Sequence, residues 1–331
     1  MKILVTGGAG YIGSHVVKAL LEANAYDITV IDNLCKGTQS AIDTLRKIGE
    51  FEFIEMSLEE VDRLETLFKE KKFDAIIHFA AFIEVFESTK KPLKYYLNNT
   101  ANALNLVALC AKYSVNKFIF SSTAAVYGEP DVSEVSEDTP LNPINPYGRS
   151  KMMTEWFLKD HGAADESFKY AILRYFNVAG ASSDGLLGQN YPNATHLIKV
   201  ANQTITGKRE KMMIFGEDYP TKDGSCIRDY IHIEDLANAH LSALKYLKNG
   251  GKSEVFNVGY GRGFSVKEVV QKAKEVSGVD FRAEVGPRRD GDPACLIANS
   301  TKLRMLTDWT PKKDDLGVII SSALEWEKKL K

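Results

Sequence analysis

The opening stretch of the chain constrains the fold more than any other. A short apolar, branched run, Lys2-Ile-Leu-Val-Thr6, passes straight into Gly7-Gly-Ala-Gly-Tyr-Ile-Gly13, and Ser14 to Leu21 then carries apolar residues at helical spacing. Strand, glycine turn and helix in that order make a site for a pyrophosphate. Glycines let the backbone bend tightly and come close, while the free amides and the dipole at the helix start favour negative charge. A second apolar run, Ile28 to Ile31, ends at Asp32, nineteen residues beyond Gly13, where a carboxylate can bind adenosine ribose hydroxyls. Asp32 would repel a 2'-phosphate and Lys36 is read as a solvated loop residue, so the expected dinucleotide is NAD.

The alternation continues. Phe51 to Ile54 reads as a strand, Leu58 to Lys69 as a helix, and Asp74-Ala-Ile-Ile-His-Phe-Ala-Ala81 as a strand buried on both faces of a parallel sheet. Pro92 to Tyr113 predicts one long helix, and Lys117 to Ser122 a strand ending at Thr123. Gly128 to Pro143 reads as a surface excursion. Lys169 to Phe176 closes the series as another strand. Strands and helices in turn predict an α/β fold, a doubly wound Rossmann-type sheet with ligands beyond the carboxyl ends of its strands. His78 and His15 are read as core histidines, and neither has a partner at metal-ligand spacing.

Before the last of these strands lies Asn145-Pro-Tyr-Gly-Arg-Ser-Lys151. With Asn145 as N-cap and Pro146 in the first turn, Tyr147 and Lys151 project from one helix face. Alone, the pattern fits an ordinary surface helix better. Ionising a phenol at neutral pH takes roughly three pKa units, or about 4 kcal/mol, which a lysine and a cationic cofactor together could supply.

Composition excludes other classes. The chain has 331 residues, 44% apolar and 26% charged, with a net charge of -2, so nothing global attracts nucleic acid or an anionic membrane. Cys35, Cys110, Cys226 and Cys295 show no metal or disulfide spacing, and no leader or transmembrane run is evident, which predicts a cytoplasmic protein. After Asn177 the regular alternation loosens. Gly180 to Asn193 reads as loop, Thr195 to Thr206 as a helix, Val255 to Val258 as a strand, and Val266 to Val276 and Leu316 to Leu330 as helices. Residues 1–176, with a return of roughly 227–260, are expected to form the NAD-binding domain, and 177–226 with 261–331 an interleaved substrate domain. Arg228 and Arg289 fall in predicted loops and together suggest a guanidinium clamp on a second phosphorylated ligand.

These motifs, Gly7-x-x-Gly10-x-x-Gly13, Asp32, Thr123 and Tyr147-x-x-x-Lys151, resemble the extended short-chain dehydrogenase/reductases. With Asp32-Asn-Leu, His78-Phe-Ala, Asn98-Asn99, Arg174-Tyr-Phe-Asn177, Arg228-Asp-Tyr-Ile-His232 and Arg288-Arg-x-Gly-Asp292, the chain resembles the UDP-glucose (UDP-galactose) 4-epimerases over almost its whole length. The resemblance implies that Gly7, Gly10, Tyr11, Ile12, Gly13, Asp32, Asn33, Ser57, Leu58, Phe79, Ala80, Ala81, Asn98, Tyr147, Lys151 and Phe176 hold NAD. It places a UDP-sugar against Thr123, Tyr147, Asn177, His196, Leu197, Ile214, Phe215, Arg228, Arg289, Asp292 and Leu296.

The implied chemistry is transient oxidation at sugar C4, with Tyr147 taking the hydroxyl proton, hydride passing to NAD, and return of hydride to the other face. Thr123, Tyr147 and Lys151 are the implied catalytic residues and a homodimer the implied assembly. A 4,6-dehydratase or decarboxylase of the same family would need further acid/base chemistry, typically an acid one or two positions after Thr123, where this chain has Ala124 and Ala125. A non-catalytic NAD sensor would not need Thr123, Tyr147 and Lys151 together. Ser57 and Ile83 depart from the family, which often has an aspartate and a lysine there. Leu296 stands where members restricted to unacetylated sugars carry a tyrosine, so N-acetylated substrates (UDP-GlcNAc and UDP-GalNAc) are expected to fit as well.

Overall fold

The computed structural model describes residues 1–191, 195–289 and 292–330. Seven strands form one parallel sheet: β1 (Lys2–Thr6), β2 (Asp27–Asp32), β3 (Glu52–Glu55), β4 (Ala75–His78), β5 (Lys117–Thr123), β6 (Lys169–Tyr175) and β7 (Glu254–Val258). Their spatial order is β7-β6-β5-β4-β1-β2-β3, a doubly wound Rossmann-type sheet. The order reverses at β1, which lies between β2 and β4, so the loops after β1 and β4 diverge there and leave a crevice at the carboxyl edge.

Alternation along β1 shows how both faces are filled. Ile3 and Val5 join a core with Val16, Val17 and Leu20 of the first helix, whereas Leu4 between them joins a second core with Leu64, Phe68, Leu106 and Leu158. Side chains two apart share a face, so each strand needs apolar residues at every position to serve both cores.

The remaining strands make a second lobe. Ile227–His232 pairs with Asn177–Ala179, Gly263–Ser265 and Cys295–Ala298, and the last of these pairs with Glu134–Val135. Met212–Phe215 pairs with Ala283–Gly286. Of the expected return at 227–260, only Glu254–Val258 hydrogen-bonds into the main sheet.

Three expectations are corrected and one helix was unread. Arg228 lies in a strand, not a loop, because residues 227–232 find partners from three distant segments. The excursion at 128–143 contains the strand Glu134–Val135, whose Val135 is fully buried. Ile233–Lys248 is a helix not among those expected, although Ile233, Leu236, Ala237, Leu241, Leu244 and Leu247 recur at helical spacing and all are buried. The stretch from Pro92 is not a uniform helix, since Tyr96–Ala101 winds as a π-helix between α-helical ends. There Asn99 reaches back to the loop after β4, donating to Phe82 O and accepting from Phe82 N, both near 2.9 Å. Residues 192 and 193 of the expected loop, and 290 and 291 of the arginine motif, lie outside the described residues.

Candidate active site

The glycine turn is built by close contacts. Gly7 has φ +73°, and a Cβ there would stand 2.6 Å from Ala80 N; one at Gly13 would stand 2.2 Å from Gly7 O. At Gly10 the space is more open, with Gly7 O at 3.3 Å the one neighbour. Gly10 is also the N-cap of the helix Tyr11–Ala23, which no side chain caps and whose first turn carries no acid. A concavity faced by uncapped helix amides suits a pyrophosphate, so these residues fit a dinucleotide.

Asp32 ends β2 and is buried beneath the turn. Its carboxylate accepts from Ala9 N at 3.0 Å and Leu34 N at 2.8 Å, while burial pushes its pKa up. Lys36 is the exposed loop residue expected, and its Nζ donates to Glu84 at 2.8 Å and to Tyr191 at 2.5 Å, so its charge is balanced and not on offer to a 2'-phosphate. Phe79 and Ala80 hydrogen-bond to Thr6 just after β4, and the Phe79 ring packs on His240. His78 is a hydrogen-bonded core histidine, with Nδ1 2.7 Å from the Thr6 hydroxyl. Tyr11 donates to Gly180 O at 2.7 Å, joining the turn to the second lobe, a contact nothing in the sequence marks.

Ser57 and Leu58 follow β3, Leu58 buried. Asn33 accepts from Cys35 N beside Asp32, Ile12 packs under the turn, and Ala81 follows β4. Asn98 lies in the π-helical turn and donates to Asn99 at 2.9 Å.

The helix Pro146–Ala164 begins as the sequence indicates, with Asn145 Oδ1 accepting from Gly148 N at 2.9 Å and Pro146 in its first turn. This places Tyr147, Ser150 and Lys151 against the end of β5, all buried. Lys151 Nζ donates to Ser121 O at 2.8 Å and lies over the Phe120 ring. Thr123 Oγ1 accepts from Ala125 N at 3.1 Å, and its hydroxyl faces the Tyr147 phenol. Burial pushes the Tyr147 phenol up and the hydrogen bond with Thr123 pulls against it. Burial also pushes Lys151 down to about 7, with Glu155 acting in the opposite sense. The low-dielectric pocket therefore favours a neutral phenol and weakens the lysine's hold on its proton, so the protein alone does not favour the phenolate.

Towards the second lobe, Asn177, His196 and Leu197 line a small cavity with Tyr230 and Trp326. Arg289 stacks on the Phe215 ring at 3.7 Å, next to Ile214 in the same strand. Arg228 pairs with Asp292 at 3.4 Å, whereas Arg288 is taken by Asp218. Leu296 is buried against Ala124, Val126, Tyr127 and Val135, with Phe176 beside them, directly behind the Thr123 turn. Among the described residues no cluster of histidine, cysteine or acidic side chains could hold a metal ion.

A buried two-lobed crevice with a glycine-turn cradle and a Thr-Tyr-Lys set defines a class, and the chain belongs to the NAD dependent epimerase/dehydratase family, whose pattern matches residues 3–259. Within that family it is 50% identical over 329 residues to the UDP-glucose 4-epimerase of Azospirillum brasilense, covering 99% of this chain and 92% of that one. Among solved structures it is similar to the UDP-Glc/GlcNAc 4-epimerase of Campylobacter jejuni, with 58% identity, 99% of each chain covered and a TM-score of 0.88. It is also similar to the UDP-glucose 4-epimerase of Bifidobacterium longum in complex with NAD+ and UDP, at 34% identity, 99% and 98% coverage and a TM-score of 0.94.

Proposed function

We propose that this chain is a UDP-hexose 4-epimerase that retains NAD and interconverts UDP-glucose with UDP-galactose and UDP-GlcNAc with UDP-GalNAc. The observation that carries the reading is the buried Thr123-Tyr147 hydroxyl pair at the end of β5, followed by Ala124 and Ala125. The pair can move one proton on and off a sugar hydroxyl, and the two alanines offer no second acid for eliminating water. The relatives' activities support this over dehydration.

In this reading residues 1–176 hold NAD and 177–226 with 261–331 hold the sugar nucleotide. The uncapped amides around Gly10, Tyr11 and Ile12 take the pyrophosphate, and Asp32 the ribose hydroxyls. Phe79, Ala80, Ala81, Asn98 and Phe176 line the rest. Bound there, NAD supplies two-electron oxidation at C4 together with a positive charge beside Tyr147. Tyr147 takes the proton of the C4 hydroxyl and later returns it, Thr123 holds that oxygen, and Lys151 stabilises the phenolate. Arg228 and Arg289 bind the diphosphate, and Leu296 leaves room beside the sugar for an N-acetyl group.

The assembly we propose is a homodimer. Phe86, Leu93 and Leu97 are 75%, 73% and 64% exposed, and Leu104, Met153 and Trp156 are also exposed, on the helices between residues 85 and 164 that pack beside one another. That is the apolar face a partner would cover. Among the described residues no helix is long and apolar enough to cross a membrane, and the four unpaired cysteines suit the reducing cytoplasm.

Incubation of the purified protein with UDP-galactose and, separately, UDP-GalNAc, without added NAD, tests the reading. Both epimers are expected to form, and Leu296→Tyr is expected to lower turnover of the acetylated pair by about 10-fold or more while sparing the other. No product from either sugar would refute the function, and equal loss of both activities would refute the role of Leu296.

A further inference from the structure

Behind the Tyr-Lys pair lies a buried charged network that the proposed reaction does not use directly. Glu155 is one helical turn beyond Lys151, as Lys151 is beyond Tyr147, so the three share a face. It is fully buried, and Arg174 of β6 is 1% exposed. Arg174 donates to the Glu155 carboxylate through Nε at 3.0 and 3.2 Å and through Nη2 at 2.5 Å. The Ser122 hydroxyl of β5, next to Thr123, donates to the same carboxylate at 2.6 Å. Arg174 Nη1 continues to Tyr127 OH at 3.0 Å and Glu137 O at 3.3 Å, and Tyr127 donates to Asn257 at 2.7 Å. Tyr127 packs in the cluster that holds Leu296, so the bonds run from the Lys151 helix through Arg174 of β6 to a residue packed at the wall of the proposed sugar pocket, with a branch to the end of β5.

Apolar residues of similar volume would stabilise such a place as well as a buried ion pair does, so stability alone does not account for charges here. Their position does. We propose that Glu155, locked to Arg174, is a positioning residue for the Thr-Tyr-Lys set: through Ser122 it fixes the strand end that carries Thr123, and from the next helical turn it supplies the negative charge facing Lys151.

Lys151 is faced by Glu155 from its own helix, His78 from β4, and the Ser121 carbonyl and Phe120 ring from β5. Glu155 is faced by Arg174 and Tyr170 from β6, Ser122 from β5, and Lys159 at 3.9 Å on its own helix. Burial drives Lys151 towards the neutral amine and Glu155 opposes it. Without Glu155 the lysine would lose its proton at lower pH, the phenol would gain less help, and the acid limb of the rate profile would move to higher pH.

This inference rests on Tyr147 and Lys151 acting as proposed, and the test separates the two. The Lys151 amine is titrated by lysine ¹⁵N NMR, assigned with Lys151→Ala, in the unaltered protein, Glu155→Gln, and the double variant Glu155→Gln/Arg174→Gln, which does not leave the Arg174 guanidinium buried without its carboxylate. Both variants are expected to lower the Lys151 midpoint by about one pH unit and to raise the acid limb of kcat by a similar amount. An unchanged midpoint in either folded variant would overturn the charge role. Ser122→Ala, which keeps the ion pair, is expected to lower kcat about 10-fold with KM and the Lys151 midpoint unchanged. Unaltered kcat would overturn the positioning of β5. Absence of epimerase activity in the unaltered protein would refute the proposed function and leave the Lys151 midpoint readable.

Discussion

Tyr147 sits where its own ionisation is opposed. Burial raises the phenol, only the Thr123 hydroxyl pulls against it, and Lys151 is itself pushed down to about 7. Such a pair is poised to stay neutral until positive charge arrives, which suits a proton acceptor active only in the assembled site. Tyr147→Phe is therefore expected to lower kcat by about 10²–10⁴ while the purified protein still carries NAD, measured by turnover and by nucleotide released on denaturation. Normal turnover would remove Tyr147 from the mechanism. The Tyr-Lys spacing was legible because both residues lie one turn apart on a helix with a visible cap. The Glu155-Arg174 pair was not: its members are joined only when the helix packs on β6, and one lysine-rich helix face looks like another in a linear chain. The partners of the exposed Lys36 were hidden for the same reason, since Glu84 and Tyr191 are distant in the chain.

At the level of elements, the strand-glycine-helix start was readable in full because its requirements are local. Gly13 stands so close to Gly7 O and Gly8 Cα that a methyl group must move backbone. Gly13→Ala is expected to cost about 1–3 kcal/mol and to yield protein largely free of NAD, checked by thermal melting and cofactor content. A variant with unchanged Tm and full NAD would mean that the turn tolerates opening. Elements that depend on distant partners were less legible. Glu134–Val135 is too short to show a period and exists because Cys295–Ala298 pairs with it. The helix Ile233–Lys248, packed on the main sheet and on the first helix, did carry a helical period at Ile233, Leu236, Ala237, Leu241, Leu244 and Leu247, and could have been found from it. The π-helical turn at Tyr96–Ala101 is set by Asn99 bonding to the loop after β4, a tertiary cause with a local result.

Across the whole molecule, four of the six histidines are buried and held neutral. Burial pushes His15, His232 and His240 down to about 4 and His78 to about 3. The unfolded chain binds these protons near pH 6.5 and the folded one does not, so the stability they contribute is present above 6.5 and lost as pH falls towards 4. Tm is expected to drop steeply between pH 6.5 and 4.5, and His240→Phe to flatten that fall by about one proton in four. A parallel profile in His240→Phe would contradict the burial argument. The alternation of strands and helices made the main sheet readable from end to end, while the second lobe, assembled from separated segments, was readable only as a region. The central claim is that the redox change is internal: the hydrogen removed from C4 is stored on the protein's own NAD and returned. The most direct test is UDP-[4-²H]galactose incubated with the purified protein without added NAD. The account predicts UDP-glucose with deuterium retained at C4; loss of the label to solvent, or no epimer at all, would contradict it.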